Sequence, residues 1–212
     1  MEECETDVGC SRMVTQSVWN LITNFGDGAV GLPLALLVLI VLLASGWSRG
    51  AAGWIASVGA CLLVVATLKF AFDGCGSILP AAHHFSPSGH AALSAVTYGG
   101  LALLGSRHLP ELARPFIAVA ASAWVCAIAA SRIELHVHSP VEVVVGLAIG
   151  GASVALLAAV IGRSAGPRWL APALAGTTVA VLVVMHGARW PLEDYVHVAA
   201  VGPQGSARLC GR

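Results

Sequence analysis

Six long stretches in which polar side chains almost vanish organise this chain, near residues 30–47, 53–72, 88–106, 114–131, 140–162 and 169–187. Each is close to the ~20 residues that a helix needs to cross the hydrocarbon core of a bilayer. Lipid offers no partner to an open strand edge, so all six read as helices. Gly26-Asp27-Gly28 before the first stretch, and Gly74, Gly76 and Pro80 after the second, are turn signals. The pattern predicts an all-α polytopic membrane protein, a six-transmembrane-helix bundle over 29–188. An external segment (1–28) precedes it and a mixed external tail (189–212) follows. No repeat, low-complexity stretch or soluble second domain interrupts this plan.

Composition sharpens the picture. Only 10% of the 212 residues are charged and 57% are hydrophobic, against roughly 25% charged in soluble proteins. With a mean hydropathy of +0.83, the bilayer is the expected partner. The formal net charge is zero, and no basic stripe interleaved with aromatics marks a nucleic-acid surface. Met1-Glu2-Glu3-Cys4-Glu5-Thr6-Asp7 is acidic, unlike the basic start of a cleaved signal peptide.

Six crossings put the chemistry on one face. Lys69 closes the second helix, His90 opens the third, Arg132 ends the fourth, and His138 and Glu142 open the fifth. Both termini share that face. The opposite loops carry Arg49, Arg107, Arg114, Arg163 and Arg168, whereas only Arg12 and Arg189 otherwise lie close to helix ends on the motif face. The positive-inside rule then makes the Arg-rich loops cytoplasmic and the motif face external, on the periplasmic side of a bacterial inner membrane. Cys61 and Cys126 fall mid-helix as small packing residues. Cys4, Cys10, Cys75 and Cys210 fall on the external side, where disulfides persist, with no pairing readable. Gly146 and Gly150 suit close helix approach, with packing inside the bundle preferred to dimerisation.

Ser139-Pro140-Val141-Glu142 reads as a capping box: N-cap Ser, first-turn Pro, and Glu three residues after the cap. His138 stands just before it, within reach of the Glu142 carboxylate, which can fix the imidazole tautomer. Capping and catalysis are compatible roles for Glu142. His138 is the candidate nucleophile, able to form a phosphohistidine that water later hydrolyses. Ser86-Pro87 signals another helix start, with Ser88, Gly89 and His90 in a first turn whose free N–H groups favour anions. Gly89 lets a phosphate approach the backbone, and His90 suits a general acid. Lys69, the one lysine of the chain, and Arg132 supply positive charge for an equatorial phosphoryl group. Both are also placed to snorkel from helix ends. His136 is expected at the pocket mouth; His108 and His186 are read as structural.

These residues resemble the motifs of the type 2 phosphatidic acid phosphatase superfamily of integral-membrane lipid phosphatases. Pro87-Ser88-Gly89-His90 matches its second motif without change. Ser131, Arg132 and His138 match its third, Ser-Arg, five residues, His, three residues, Asp, with Glu142 in place of Asp. Its first motif, Lys, six residues, Arg-Pro, is met only by Lys69, because Gly76 and Ser77 fill the other positions and Pro80 lies three residues on. The resemblance covers about 25–187. It implies a membrane lipid phosphatase, an acid phosphatase needing no cofactor or metal, with His138, His90 and Glu142 catalytic and Lys69, Ser88, Gly89 and Arg132 binding substrate. Phosphatidic acid, phosphatidylglycerol phosphate, undecaprenyl pyrophosphate and a lipid A phosphate are the substrates it implies.

Three other readings use the same residues. A phosphotransferase would pass the phosphoryl group to another lipid. A degenerate member would bind lipid phosphate without turnover, for want of the first-motif arginine; His83, His84 or Arg189 are the candidates to replace that arginine. A metal-binding membrane protein would use His83, His84, His90, His136 and His138 as ligands, although the Pro-Ser-Gly-His and Ser-Arg spacings serve no purpose there.

Overall fold

Each of the six apolar stretches becomes a helix in the computed structural model, which describes residues 7–75 and 85–188. In chain order these are α2 (Gly28–Ala44), α3 (Ser48–Cys75), α4 (Gly89–Gly105), α5 (Arg114–Glu134), α6 (Pro140–Ile161) and α7 (Leu170–Met185). A 3-10 turn, Ser106–His108, follows α4. Ahead of them stands a helix that the apolar pattern did not predict, α1 (Asp7–Asn24). No strand occurs among the described residues. Four segments are long and apolar enough to cross a membrane: Val14–Ala44, Ser48–Phe72, Arg114–Glu134 and Pro140–Ile161. The chain is therefore a helical membrane bundle. α4 and α7, with 17 and 16 residues, are shorter.

α4 is the hub, packing on α2, α3, α5, α6 and α7. A helix surrounded by helices needs small side chains. α4 supplies them, burying Ala91, Ala92, Ser94, Ala95, Thr97 and Gly100. Around it a core of Val30, Leu34, Val38, Leu42, Trp54, Val96, Leu104, Leu157 and Ile161 closes α2, α3, α4 and α6 together. The buried Trp54 indole donates to the Ala35 carbonyl at 2.9 Å, so its one polar atom is satisfied. The outward faces of α2, α3, α5 and α6 carry exposed Leu37, Leu63, Phe116 and Val144, as a lipid-facing bundle requires.

The α4–α6 contact rests on two glycines. A Cβ on Gly146 would come within 2.5 Å of the Ser88 carbonyl oxygen, and one on Gly150 within 2.5 Å of the Ala92 carbonyl oxygen. The small-residue pair thus packs inside the bundle, as expected. Gly146→Val should force α4 and α6 apart, lowering stability by about 1–3 kcal/mol. Gly151→Ala, on the same helix but with nothing within 4 Å of its Cβ position, should leave the melting temperature in detergent unchanged.

Two sequence expectations about cysteine part ways here. Cys61 is buried, its thiol 3.6 Å from the Ala92 carbonyl. Cys126, expected to pack, is exposed on α5 because that face meets no neighbouring helix closely. The disulfide expectation for Cys4, Cys10, Cys75 and Cys210 concerns side chains outside the described residues. So do the proposed contacts of His83, His84 and Arg189 and the first-motif positions Gly76, Ser77 and Pro80.

Candidate active site

The turn between α5 and α6 is built to hold His138 beside Arg132. The Arg132 carbonyl accepts the N–H groups of both Val137, at 3.1 Å, and His138, at 3.2 Å. Ser131 and Ile133 carbonyls take those of Leu135 and His136. The reversal needs a left-handed residue, and His136 provides it at φ 57°, a conformation rare outside glycine. Its ring Nδ1 lies 3.1 Å from the Ile133 carbonyl, and the side chain is exposed. His136 is thus a turn residue.

α6 then opens with the expected capping box. The Ser139 hydroxyl accepts the Glu142 N–H at 3.4 Å, and Glu142 Oε2 accepts the Ser139 N–H at 2.8 Å. The same Oε2 accepts the Ser139 hydroxyl at 3.1 Å and lies 3.3 Å from His138 Nδ1. Its other oxygen, Oε1, accepts the Ser86 N–H at 2.6 Å. A carboxylate only 7% exposed requires such donors. Because a carboxylate can only accept, His138 donates from Nδ1, and the tautomer this selects in the neutral ring carries its lone pair on Nε2.

Glu142 also joins two helix starts. Its side chain holds Ser86, and its backbone carbonyl accepts the Ser88 N–H at 3.1 Å. Ser88 is the N-cap of α4, fully buried, its hydroxyl accepting the Ala91 N–H at 3.4 Å. The helix therefore begins at Gly89, beyond the Ser86-Pro87 start that the sequence suggested. The reason is local: the Ser86 N–H is drawn to Glu142 and the Ser88 side chain makes the cap. Gly89 and His90 are the first two helical residues, whose N–H groups have no partner in their own helix.

His90 is turned toward Asp27, with Nε2 3.6 Å from Oδ2. Asp27 is the N-cap of α2, its Oδ1 accepting the Ala29 N–H at 2.8 Å. Gly26 beside it has no room for a side chain: a Cβ would meet Ile128 at 2.6 Å and Ser94 at 2.8 Å, with His90 at 3.5 Å. Arg132, 7% exposed, donates from Nη1 to Thr23 Oγ1 at 3.0 Å. Lys69, also 7% exposed, sits toward the end of α3.

Lys69, His90, Arg132, His138 and Glu142 therefore share one end of the bundle, by the alternation of α3 to α6. Sequence reasoning missed Asp27 and Thr23. Asp27 carried a signal, since Asp before an apolar helix is an N-cap, but nothing linked it to His90. Thr23 carried none. Asp27 faces His90 and caps α2, and Glu142 faces His138 and caps α6. Two cationic side chains and two helix N-termini at one end suit a phosphate. Among the described residues no three His, Cys, Asp or Glu side chains gather to hold a metal ion, so the histidine-ligand reading gains no support. His108 bonds the Gly166 carbonyl at 2.6 Å, and His186 packs on the Phe25 ring at 4.4 Å between centroids, in keeping with structural roles.

Residues 18–165 match the model of the PAP2 superfamily. An uncharacterized 22.5 kDa protein in the cps region of Klebsiella pneumoniae is 31% identical over 192 residues, covering 87% of this chain and 92% of that protein. No solved structure matches.

Proposed function

The chain belongs to the PAP2 superfamily, whose activity is of phosphatase type on phosphate esters, and from that premise we propose that it hydrolyses a lipid phosphate or pyrophosphate through a phosphohistidine on His138. The observation that carries this reading is the Glu142 Oε2 contact to His138 Nδ1 at 3.3 Å, beside a buried Arg132. It supports an imidazole whose tautomer and orientation the carboxylate fixes, on the turn that Arg132 begins. In the first step His138 Nε2 bonds to phosphorus and the ester P–O bond breaks. Protonated His90 gives its proton to the departing oxygen. In the second step water attacks the phosphohistidine, His90 takes the proton from that water, the P–N bond breaks and phosphate leaves. Arg132, Lys69 and the N–H groups at the start of α4 hold the equatorial oxygens, so the chemistry needs no metal.

The lipid chain accounts for the setting of this site in a bundle of apolar helices. We place the protein as a multi-pass protein of a bacterial inner membrane; Arg49, Arg107, Arg114, Arg163 and Arg168 toward the opposite end favour that end as cytoplasmic and the site as external, on the periplasmic side. Transfer to a second lipid would use the same two steps, with a lipid hydroxyl in place of water.

The test is phosphate release by purified protein from a panel of lipid phosphates and pyrophosphates in detergent, with chelator present. Release that persists in chelator supports the reading. A chelator-sensitive activity, or no release from any lipid, overturns it in favour of a metal enzyme or a phosphate-binding member without turnover.

Asp27 enters this mechanism as a positioning residue for His90. Asp27→Asn keeps an N-cap for α2 but removes the charge facing the imidazole. It should lower kcat by about 10- to 100-fold, part of the ~10²–10⁴ that a general acid contributes. An aryl phosphate, whose leaving group departs without a proton, should lose far less. Equal losses on both substrates would make Asp27 a structural cap alone.

A further inference from the structure

From mid-bundle to the end opposite His138, α4, α5, α6 and the 3-10 turn line a half-open cavity of about 740 Å³, within the range of sites that take small molecules. α5 and α6 each pack on α4 but touch one another little. The residues between them are small: Ala95 and Gly99 on α4, Ala118 and Ser122 on α5, Gly151 on α6. A Cβ on Gly151 would meet nothing within 4 Å, so the slot is open there rather than filled by a neighbour. Cys126 faces the same space.

Its mouth is cationic. Arg107 and Arg114 both line the cavity, and no Asp or Glu does. Arg107 Nη1 donates to the Gly162 carbonyl at 2.8 Å, while Arg114 donates to the carbonyls of Leu109 at 3.2 Å and of Arg107 at 3.3 Å. These bonds fix the two guanidinium groups side by side without neutralising either. Arg107 Nε is buried with no hydrogen-bond partner among the described residues. Burial and the adjacent Arg114 charge both push the Arg107 guanidinium below its ordinary value. Two like charges held together at the edge of an apolar slot suit an anionic group with an apolar chain.

We infer that this cavity is a second lipid site, separate from the catalytic end, that holds one acidic phospholipid, its phosphodiester at Arg107 and Arg114 and an acyl chain along the slot. The charge selects the headgroup and the small-residue lining admits the chain. Basic pockets between transmembrane helices are known to take anionic headgroups. A free phosphate would satisfy the arginines but leave the slot unfilled.

The experiment is native mass spectrometry of the delipidated full chain in detergent, titrated with phosphatidylglycerol or phosphatidylcholine. Wild type should retain phosphatidylglycerol about tenfold more tightly, the size expected of charge-assisted hydrogen bonds to phosphate. Arg107→Gln with Arg114→Gln should reduce that preference to none. Gly151→Leu, which fills the slot without touching the arginines, should weaken both lipids. His138→Ala should change neither, and inorganic phosphate should not displace the lipid. Circular dichroism and size exclusion confirm that each variant is folded. Equal retention of the two lipids by wild type overturns the inference. So does a preference that survives the double arginine variant, one lost in His138→Ala, which would put the lipid at the catalytic end, or displacement by phosphate alone.

Discussion

His138→Ala should abolish phosphate release, with kcat falling by a factor on the order of 10⁴ or more, as loss of a covalent nucleophile does. The fold should survive the change. Glu142 keeps the Ser86 N–H, the Ser139 N–H and the Ser139 hydroxyl as donors when the imidazole is gone, so no buried carboxylate is orphaned. The backbone turn that carries His138 is held by the Arg132 carbonyl rather than by the ring. The variant should therefore melt within a few degrees of wild type while losing turnover. A variant that retains measurable release with a normal melt would mean that another group attacks phosphorus.

Glu142→Gln should be nearly as damaging, for two reasons that can be separated. An amide in place of the carboxylate presents N–H groups where His138 and Ser139 donate. The imidazole then loses the partner that fixes its tautomer, and in other carboxylate–histidine pairs such a change costs on the order of 10⁴ in kcat. The capping box also weakens, at about 1–3 kcal/mol for a buried polar group left with a wrong partner. Glu142→Asp distinguishes the two. It keeps the charge but shortens the reach, so it should lose comparable stability while retaining kcat within about tenfold, since a charged acceptor still faces the imidazole. Activity lost in proportion to stability in both variants would make Glu142 a helix cap and nothing more.

The bilayer makes much of this legible without a structure. A segment that must satisfy its backbone internally has no choice but helix, so α2 to α7 follow from apolar length. The Ser139–Glu142 box and the Gly146/Gly150 pair are local or helical in spacing, and each appears where its spacing requires. Tertiary placement was less readable. α4 is buried on all sides and α5 is half bare, yet both read as apolar throughout, because lipid and protein interior select the same side chains. Cys126 was misjudged for that reason. α1 escaped notice because Gln16, Asn20 and Asn24 interrupt its apolar positions, although Thr23 near its end reaches Arg132. The Asp27–His90 pair joins residues 63 positions apart, and no single-sequence signal spans that distance.

The half-present first motif gains meaning from this arrangement. With Gly76 and Ser77 where the family has Arg-Pro, Arg132 is the guanidinium that the described structure brings to the site. Its bond to Thr23 at 3.0 Å orients it from α1, so under the proposed mechanism the N-terminal helix positions one of the groups that would hold phosphate.

The central claim is a covalent phosphoryl group on His138. It is tested most directly by incubating the full chain with a lipid phosphate labelled at phosphorus, quenching in alkali, and mapping the label by peptide. The account predicts an acid-labile, alkali-stable label on His138 that chases into free phosphate and is absent from His138→Ala. Phosphate released while His138 stays unlabelled, or a label on any other residue, would contradict it.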